Sequence, residues 1–133
     1  YTASNKIDRV DYAFFENGND NPFEAFYLTV SEGNSNTVII SYFDLQGNFT
    51  GSIEAILSGQ TLIDTPLELM EQYYQTPLYL LDALPTQLTY KDQNGNIGKV
   101  ISYEFKNAND LLTELTINQG TRKDLFKFEF RCN

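Results

Sequence analysis

The sequence has no histidine and no tryptophan, and it has one cysteine among its 133 residues. Without histidine there is no imidazole base for a Ser-His-Asp or Cys-His pair, and no imidazole metal ligand. One cysteine without histidine also excludes an ordinary structural zinc site. Cys132 extends the alternation of Phe126, Phe128 and Phe130, so we interpret it as a core residue rather than a nucleophile. No Gly-rich phosphate loop or dinucleotide fingerprint is present, and we expect no cofactor.

Positive charge is also scarce. The chain has nine Lys and Arg residues against eighteen Asp and Glu residues, which gives a formal net charge of −9 and a pI near 4.3. Phosphate backbones and anionic lipids are bound mainly by Lys and Arg, so this balance argues against a nucleic-acid partner. No apolar run approaches the roughly 18–20 residues that span a bilayer, so we expect no membrane insertion by this domain itself.

Apolar residues alternate with polar ones along most of the chain, and this period of two predicts β-strands. The last such segment, residues 126–132, places charged side chains opposite its phenylalanines, which is typical of a half-buried antiparallel strand. Residues 38–43 are apolar on both faces, so we expect that strand inside the sheet. We predict one mainly β domain over residues 1–133, with about eight antiparallel strands in an open sheet or a partial barrel.

One stretch breaks this rhythm. Residues 65–68 read Thr-Pro-Leu-Glu, which is a capping box with Thr at the N-cap, Pro at the first helical position and Glu at the third. A second short helix over residues 78–83 would end before Pro85. The pattern predicts a short helical insert at about residues 65–84, whose apolar side covers a face or an open end of the sheet.

One short phrase occurs twice. Residues 42–48 read Tyr-Phe-Asp-Leu-Gln-Gly-Asn, and residues 90–96 read Tyr-Lys-Asp-Gln-Asn-Gly-Asn. Asp is favoured at the first position of a type I turn and Gly at the fourth. A type I turn followed by a left-handed residue and a bulge is a common hairpin connection. Each phrase therefore predicts the tip of an antiparallel hairpin.

The second phrase also spaces oxygen-bearing side chains as some calcium loops do. Asp92, Asn94 and Asn96 stand at alternate positions, which resembles the opening of an oxygen-ligand loop. The position where an EF-hand would carry its closing Glu is Tyr103. Turn geometry alone explains the three residues, so we expect no bound metal and retain them as the weak calcium candidates.

Aromatic side chains are the best indication of binding. Aromatic residues make up 14% of the chain, and five of them are hard to place in one core. These candidates for a binding surface are Tyr27, Phe43, Tyr73, Tyr74 and Tyr79. A row of such rings on a sheet face can stack on sugars, with acid and amide neighbours that bond hydroxyl groups. We favour the alternative, in which the helical insert buries the rings.

Carboxylates are the remaining catalytic option, because two carboxyl groups suffice for glycoside cleavage. The candidates Glu54, Glu104, Glu114 and Glu129 fall on the polar side of alternating strands. We therefore interpret them as a solvated face and name no catalytic residue.

The C-terminal half resembles a known family. Residues 84–96, followed by Ser-Tyr-Glu-Phe at 102–105 and by residues 108–115, resemble the YD-repeat-like lipoproteins of Bacteroidetes. Strands of that family read Tyr-x-Tyr-Asp-x-x-Gly-x-(Leu/Pro)-Thr-Lys-(Val/Ile). The closing Phe-Glu-Phe-Arg-Cys at 128–132 is similar to the family's aromatic-x-aromatic-x-Cys ending. The resemblance implies export to the periplasm or cell surface, tethering through a lipidated Cys upstream of Tyr1, and no established activity.

Three functions follow as hypotheses. The leading one is an exported, non-catalytic surface or periplasmic domain that binds a glycan or a protein. The second is a glycoside hydrolase-like enzyme, which needs two acids about 5–10 Å apart in a cleft. The third is a structural or inhibitory module whose protein partner docks against an exposed edge strand.

Overall fold

In the computed structural model the described residues are 7–22, 24–34, 36–61, 80–81, 83–109 and 111–131, and their strands form one antiparallel sheet. The eight strands are β1 (Arg9–Phe14), β2 (Glu24–Glu32), β3 (Thr37–Asp44), β4 (Phe49–Thr61), β5 (Ala83–Asp92), β6 (Ile97–Ala108), β7 (Leu111–Gln119) and β8 (Arg122–Lys127). Each strand pairs with its neighbours in the chain, so the spatial order runs from β1 to β8. The prediction of a mainly β fold with about eight antiparallel strands is confirmed, and the sheet takes the open form. Among these residues no helix is long and apolar enough to cross a membrane.

One side of the sheet carries the hydrophobic core, because alternate residues of a strand point to the same face. Leu28 on β2 and Ile40 on β3 are fully buried, and Ile53 on β4 lies directly opposite Ile40. The other buried core residues are Ala55, Leu81, Leu84, Leu88, Ile101, Tyr103, Leu112, Leu115 and Ile117. Burying one large aliphatic side chain contributes about 1.5–3 kcal/mol, so this side holds the fold together. We call it the core face, and the opposite side the polar face.

Strand β3 has apolar residues on both faces, as expected for an interior strand. Its core-face residue Tyr42 packs against Phe26, with ring centroids 6.3 Å apart. Its polar-face residues Ile39 and Phe43 are half-buried. Because β2 and β4 flank the strand, neighbouring side chains shelter both of its faces.

The end of the predicted helical insert is wrong. Residues 65–79 and 82 lie outside the described residues, but Ala83 and Leu84 already belong to β5. Leu84 and Pro85 are both buried, so burial against the core overrides the helix-ending role that we assigned to the proline. Pro85 lies opposite Leu57 where the register between β4 and β5 is irregular. Such an irregularity accommodates a residue that has no N–H to give to the ladder.

The two copies of the repeated phrase form equivalent hairpin turns. The Gly47 N–H donates to the Asp44 carbonyl at 3.1 Å, and the Asp44 N–H donates to the Asn48 carbonyl at 3.0 Å. Residues 92–96 repeat both bonds at 3.1 and 2.9 Å. The φ angles of the two glycines are 86° and 83°, in the left-handed region that glycine tolerates best. The predicted turn geometry is confirmed in both hairpins.

Candidate binding surface

Three aromatic residues lie side by side on the polar face at the end of the sheet that holds the β3–β4 turn. The strand register places Tyr27 on β2 opposite Phe43 on β3, and Phe43 opposite Phe49 on β4. On the other side of Tyr27 the register places Asp11 of β1. These residues share a face because successive side chains of a strand point to opposite faces. Their chain neighbours Leu28 and Tyr42 are directed to the core face.

The aromatic rings and one cation are in direct contact. The centroids of Tyr27 and Phe43 are 5.0 Å apart and their planes differ by 10°. Phe49 meets Phe43 edge-on, with centroids 5.8 Å apart and an interplanar angle of 61°. The guanidinium carbon of Arg9 lies 3.9 Å from the Tyr27 ring centroid. Aromatic pairs contribute about 0.5–1.5 kcal/mol beyond area burial, so the cluster is preorganised.

Asp11 holds the guanidinium of Arg9 in place. Arg9 Nη2 donates to Asp11 Oδ1 at 2.8 Å, and Nε lies 3.2 Å from both carboxylate oxygens. This hydrogen bond is the main reason that the pKa of Arg9 is raised and the pKa of Asp11 is lowered. Both groups therefore stay charged. We define the Arg9 patch as Arg9, Tyr27, Phe43 and Phe49.

The geometry decides which atoms of the Arg9 patch a ligand can touch. Because β2 lies between β1 and β3, Arg9 and Phe43 cover opposite faces of the Tyr27 ring. The Tyr27 hydroxyl lies beside the β3–β4 turn, within 3.8 Å of where a Cβ at Gly47 would be. Phe49 is 40% exposed. The patch therefore presents Phe49, the guanidinium and ring edges, rather than an open face of Tyr27.

A row of hydroxyl side chains runs beside the aromatic rings. The register aligns Thr29, Ser41 and Ser52 across β2, β3 and β4, with Arg9 at one end and Lys91 at the other. Lys91 Nζ lies 3.0 Å from Glu54 Oε1 on the same face. Hydroxyl groups both donate and accept hydrogen bonds, so this row suits a polar ligand next to the patch.

The structure brings together two of the five predicted aromatic site residues. Tyr27 and Phe43 form a stacked pair, whereas Tyr73, Tyr74 and Tyr79 lie outside the described residues. Sequence reasoning missed Arg9 and Phe49. The repeated phrase contains a signal for Phe49, because a large apolar residue directly follows both copies: Phe49 after the first and Ile97 after the second. Arg9 needed the register between β1 and β2, which no sequence pattern supplies.

A second aromatic group lies on the core face. Tyr12 stacks on Phe26 with centroids 4.9 Å apart, and Phe14 lies 6.2 Å from Phe26. Burial, with a smaller contribution from Tyr90, raises the pKa of Tyr42 to about 12. Phe14 is 43% exposed, so this group extends from the core to the outer side of β1.

The calcium candidates lie in the second turn. Asp92 Oδ1 accepts hydrogen bonds from the N–H groups of Asn94 and Asn96 at 2.8 and 2.9 Å. Its Oδ2 accepts from Asn96 Nδ2 at 3.2 Å, and Asp44 makes the same three kinds of bond in the first turn. These bonds lower the pKa of both aspartates. Within the part of the chain that the structure describes, no three His, Cys, Asp or Glu side chains are grouped as metal ligands. Turn formation accounts for these residues, and their weak candidacy as calcium ligands stays untested.

Three of the candidate catalytic acids lie on strands, Glu129 lies two residues beyond the end of β8, and two of the four have basic partners. Glu54 pairs with Lys91, and Glu114 lies 3.0 Å from Lys106 Nζ and 3.8 Å from Lys127 Nζ. The other two candidates, Glu104 and Glu129, are exposed. Cys132 lies outside the described residues.

Comparisons with known proteins give no relative. No protein-family model matches the chain, and neither a curated protein nor a solved structure is significantly similar to it.

Proposed function

We propose that this chain is a non-catalytic binding domain of an exported bacterial protein, and that the Arg9 patch contacts a protein partner. The observation that carries this proposal is the contact between Arg9, Tyr27, Phe43 and Phe49 on the polar face. Tyr and Arg are enriched among the residues that dominate protein–protein binding energies. Their mutual contacts restrict the side-chain rotamers before binding, which lowers the entropic cost of association.

The ring geometry favours a protein partner over a glycan. A sugar ring stacks on an exposed aromatic face, and Arg9 and Phe43 already cover both faces of Tyr27. A glycan remains the second candidate, because Thr29, Ser41 and Ser52 form a hydroxyl row beside the patch. In that case the sugar would contact Phe49 and the hydroxyl row.

Ion pairing of the acids supports the non-catalytic part of the proposal over the hydrolase alternative. A general acid in a glycosidase needs a raised pKa, usually from an apolar site. Glu54 and Glu114 instead each lie 3.0 Å from a lysine ammonium group, so neither occupies the apolar site that such an acid requires.

Export and lipid anchoring rest on the resemblance to the YD-repeat-like lipoproteins of Bacteroidetes. We also propose that a short helical insert lies before β5. The proposed domain takes no cofactor and has no nucleic-acid partner. Metabolic labelling of the full-length precursor with a fatty-acid analogue tests the anchor. Label that disappears when the precursor's upstream Cys is replaced by Ser supports lipoprotein export, and an unlabelled precursor contradicts it.

The two equivalent hairpins provide a matched test of the patch. Phe49→Ala removes the exposed ring after the first turn, and Ile97→Ala truncates the 63%-exposed residue at the same position after the second. We would immobilise both variants and the wild type, identify surface proteins retained from the native host, and measure each purified protein's affinity. A partner that binds the wild type and Ile97→Ala, but binds Phe49→Ala at least about tenfold more weakly, supports the proposal.

Equal binding by all three proteins contradicts a role for the Arg9 patch. Thermal unfolding of each variant shows whether a lost interaction is a folding defect. The same proteins would also be melted against purified polysaccharides and mucin glycans. A melting shift with one glycan class that Phe49→Ala abolishes would favour the glycan candidate instead, since a ligand that binds only the folded state raises the melting temperature.

A further inference from the structure

The first and last strands of the sheet differ in charge. Residues 7–23, which contain β1 and the connection to β2, have four acids and one base. Residues 121–131, which contain β8, have four of the chain's nine bases and two acids. In the described sheet, β1 pairs with β2 and β8 pairs with β7, and these two strands are its ends. The two ends of the sheet therefore carry opposite net charge.

From this we infer that β8 of one copy of the chain pairs with β1 of a second copy, so that the sheet continues from one molecule into the next. The even number of antiparallel strands makes this geometrically simple, because β1 of a second copy placed beside β8 runs antiparallel to it. Both ends also keep their faces, with Tyr12 and Phe126 on the core face and Asp11 and Lys127 on the polar face. A strand at the edge of a sheet has unpaired N–H and C=O groups and is a ready template for such pairing.

One register of this pairing brings opposite charges together at three positions, with Lys123 and Asp124 of β8 falling opposite Phe15 and Phe14. When Tyr12 lies opposite Phe126, Asp11 falls opposite Lys127, and Arg9 falls opposite Glu129, two residues beyond the end of β8. Two residues beyond the end of β1, Glu16 falls opposite Arg122. On the core face, Val10 falls opposite Phe128. Opposite charges and aromatic pairs directly across two strands each contribute roughly 0.2–1 kcal/mol.

The neighbouring registers do not match. A slip by one residue exchanges the core and polar faces, so the alternatives differ by two residues. One such shift places Arg9 opposite Lys127, and the other places Arg9 opposite Arg131 and Asp11 opposite Glu129. Like charges directly opposite each other are destabilising. Charged residues that ordinarily discourage strand pairing here discourage the wrong registers.

This contact joins two different surfaces, so it is heterologous, and an open chain of copies keeps one unpaired outer strand at each of its two ends. Such contacts build chains or rings rather than closed two-fold dimers. The inference does not need the partner proposed for the Arg9 patch, but the two surfaces share β1, because Arg9 belongs to the patch and Asp11 holds its guanidinium. Phe49 lies on β4, so Phe49→Ala tests the patch without changing either outer strand. The phenylalanines of residues 126–130 and the tyrosine of β1 would then form one continuous apolar strip.

Charge reversal tests the contact. Asp11→Lys and Lys127→Asp each place like charges opposite each other, so each alone should weaken self-association about 2- to 30-fold in sedimentation velocity over a wide concentration range. An equimolar mixture of the two variants, and the double variant Asp11→Lys/Lys127→Asp, should both regain association, because opposite charges again face each other. Lys106→Asp is the matched control, since Lys106 also pairs with Glu114 but lies on the interior strand β6.

Zero-length carbodiimide cross-linking of an isotopically mixed sample identifies the atoms in contact. The expected product joins Asp11 of a light chain to Lys127 of a heavy chain. A wild-type protein that remains monomeric at every concentration overturns the inference, as does a closed dimer unaffected by the variants. Cross-links confined to chains of one isotope would also overturn it, because they would show that β1 and β8 of the same molecule meet.

Discussion

Replacing Gly51 with alanine should destabilise the sheet at a single defined atom contact. Gly51 is a buried residue of β4, with Tyr42 of β3 on one side and Asp92 of β5 on the other. A Cβ at this position would lie 2.8 Å from the Lys91 carbonyl oxygen and 3.9 Å from the Asp92 Cα. Both neighbouring atoms belong to the backbone, so no side-chain rotation relieves the contact.

The size of the effect follows from the distance. An ordinary carbon contact begins near 3.4 Å, so β4 and β5 must separate by about 0.6 Å at this point. Overpacking in a well-packed region costs typically 1–3 kcal/mol, while loss of glycine's freedom in the unfolded chain offsets about 0.4–1 kcal/mol. For 133 residues the unfolding entropy is roughly 0.28 kcal/mol/K, so a cost of about 1–3 kcal/mol lowers the melting temperature by about 4–11 °C before the offset.

Gly98→Ala is the matched control on β6. Its Cβ would meet the Tyr90 carbonyl oxygen at 3.8 Å, which is an ordinary contact. We expect Gly98→Ala to melt at or slightly above the wild-type temperature, because only the unfolded-state effect remains. Thermal and urea unfolding, followed by circular dichroism, give both differences. If Gly51→Ala melts with Gly98→Ala, the close approach of β4 to β5 does not constrain this position.

Three further predictions concern the turns, the core tyrosine and the buried core. Folding lowers the pKa values of Asp44 and Asp92, so their contribution to stability is present above pH 3.8 and lost as the pH falls through the folded pKa values. In acid unfolding, Asp44→Asn/Asp92→Asn should therefore lose less stability than the wild type loses. Tyr42 has a folded pKa of about 12 against about 10 unfolded, so the unfolded state loses its proton first and stability falls from pH 10 to 12. Tyr42→Phe should reduce that fall by up to about 2–3 kcal/mol and remove a step near pH 12 from a tyrosinate absorbance titration. Leu88→Ala, at a fully buried site, should cost about 2–5 kcal/mol in urea unfolding, and a cost below 1 kcal/mol would mean that the core repacks around it.

Local patterns were sufficient to predict most strands and the two turns, because alternation and turn chemistry act over a few residues. Local patterns placed the last strand at residues 126–132, whereas β8 is Arg122–Lys127. They failed at Pro85, where a proline that ends helices in isolation is buried opposite Leu57 at an irregular point of the ladder. Burial of Leu84 against the core decided the conformation there, and burial depends on residues distant in sequence. The same limit applies to the calcium candidates, since only coordinates show that Asn96 directs its Nδ2 donor to Asp92.

The candidate site was predictable only in part for a related reason. Tyr27 and Phe43 stood out because each is a large ring at a position where alternation calls for a polar residue. Their contact with each other, and the contact of Tyr27 with Arg9, depend on which residue of β1 faces which residue of β2. That register is set by the whole ladder. A one-residue slip would have sent Arg9 to the other face.

The order of the strands has a consequence for how the chain folds. Since every strand pairs with the strand next to it in sequence, loop closure is inexpensive at each step, apart from the long β4–β5 connection. Folding can then spread outward from either hairpin of the duplicated pair, in the manner of a repeat protein whose units contact only their neighbours. Low sequence separation of contacts makes folding fast for a β protein. The same locality lets hairpins be added or lost at either end during evolution without rebuilding the middle, which suits a fold that already contains one turn twice.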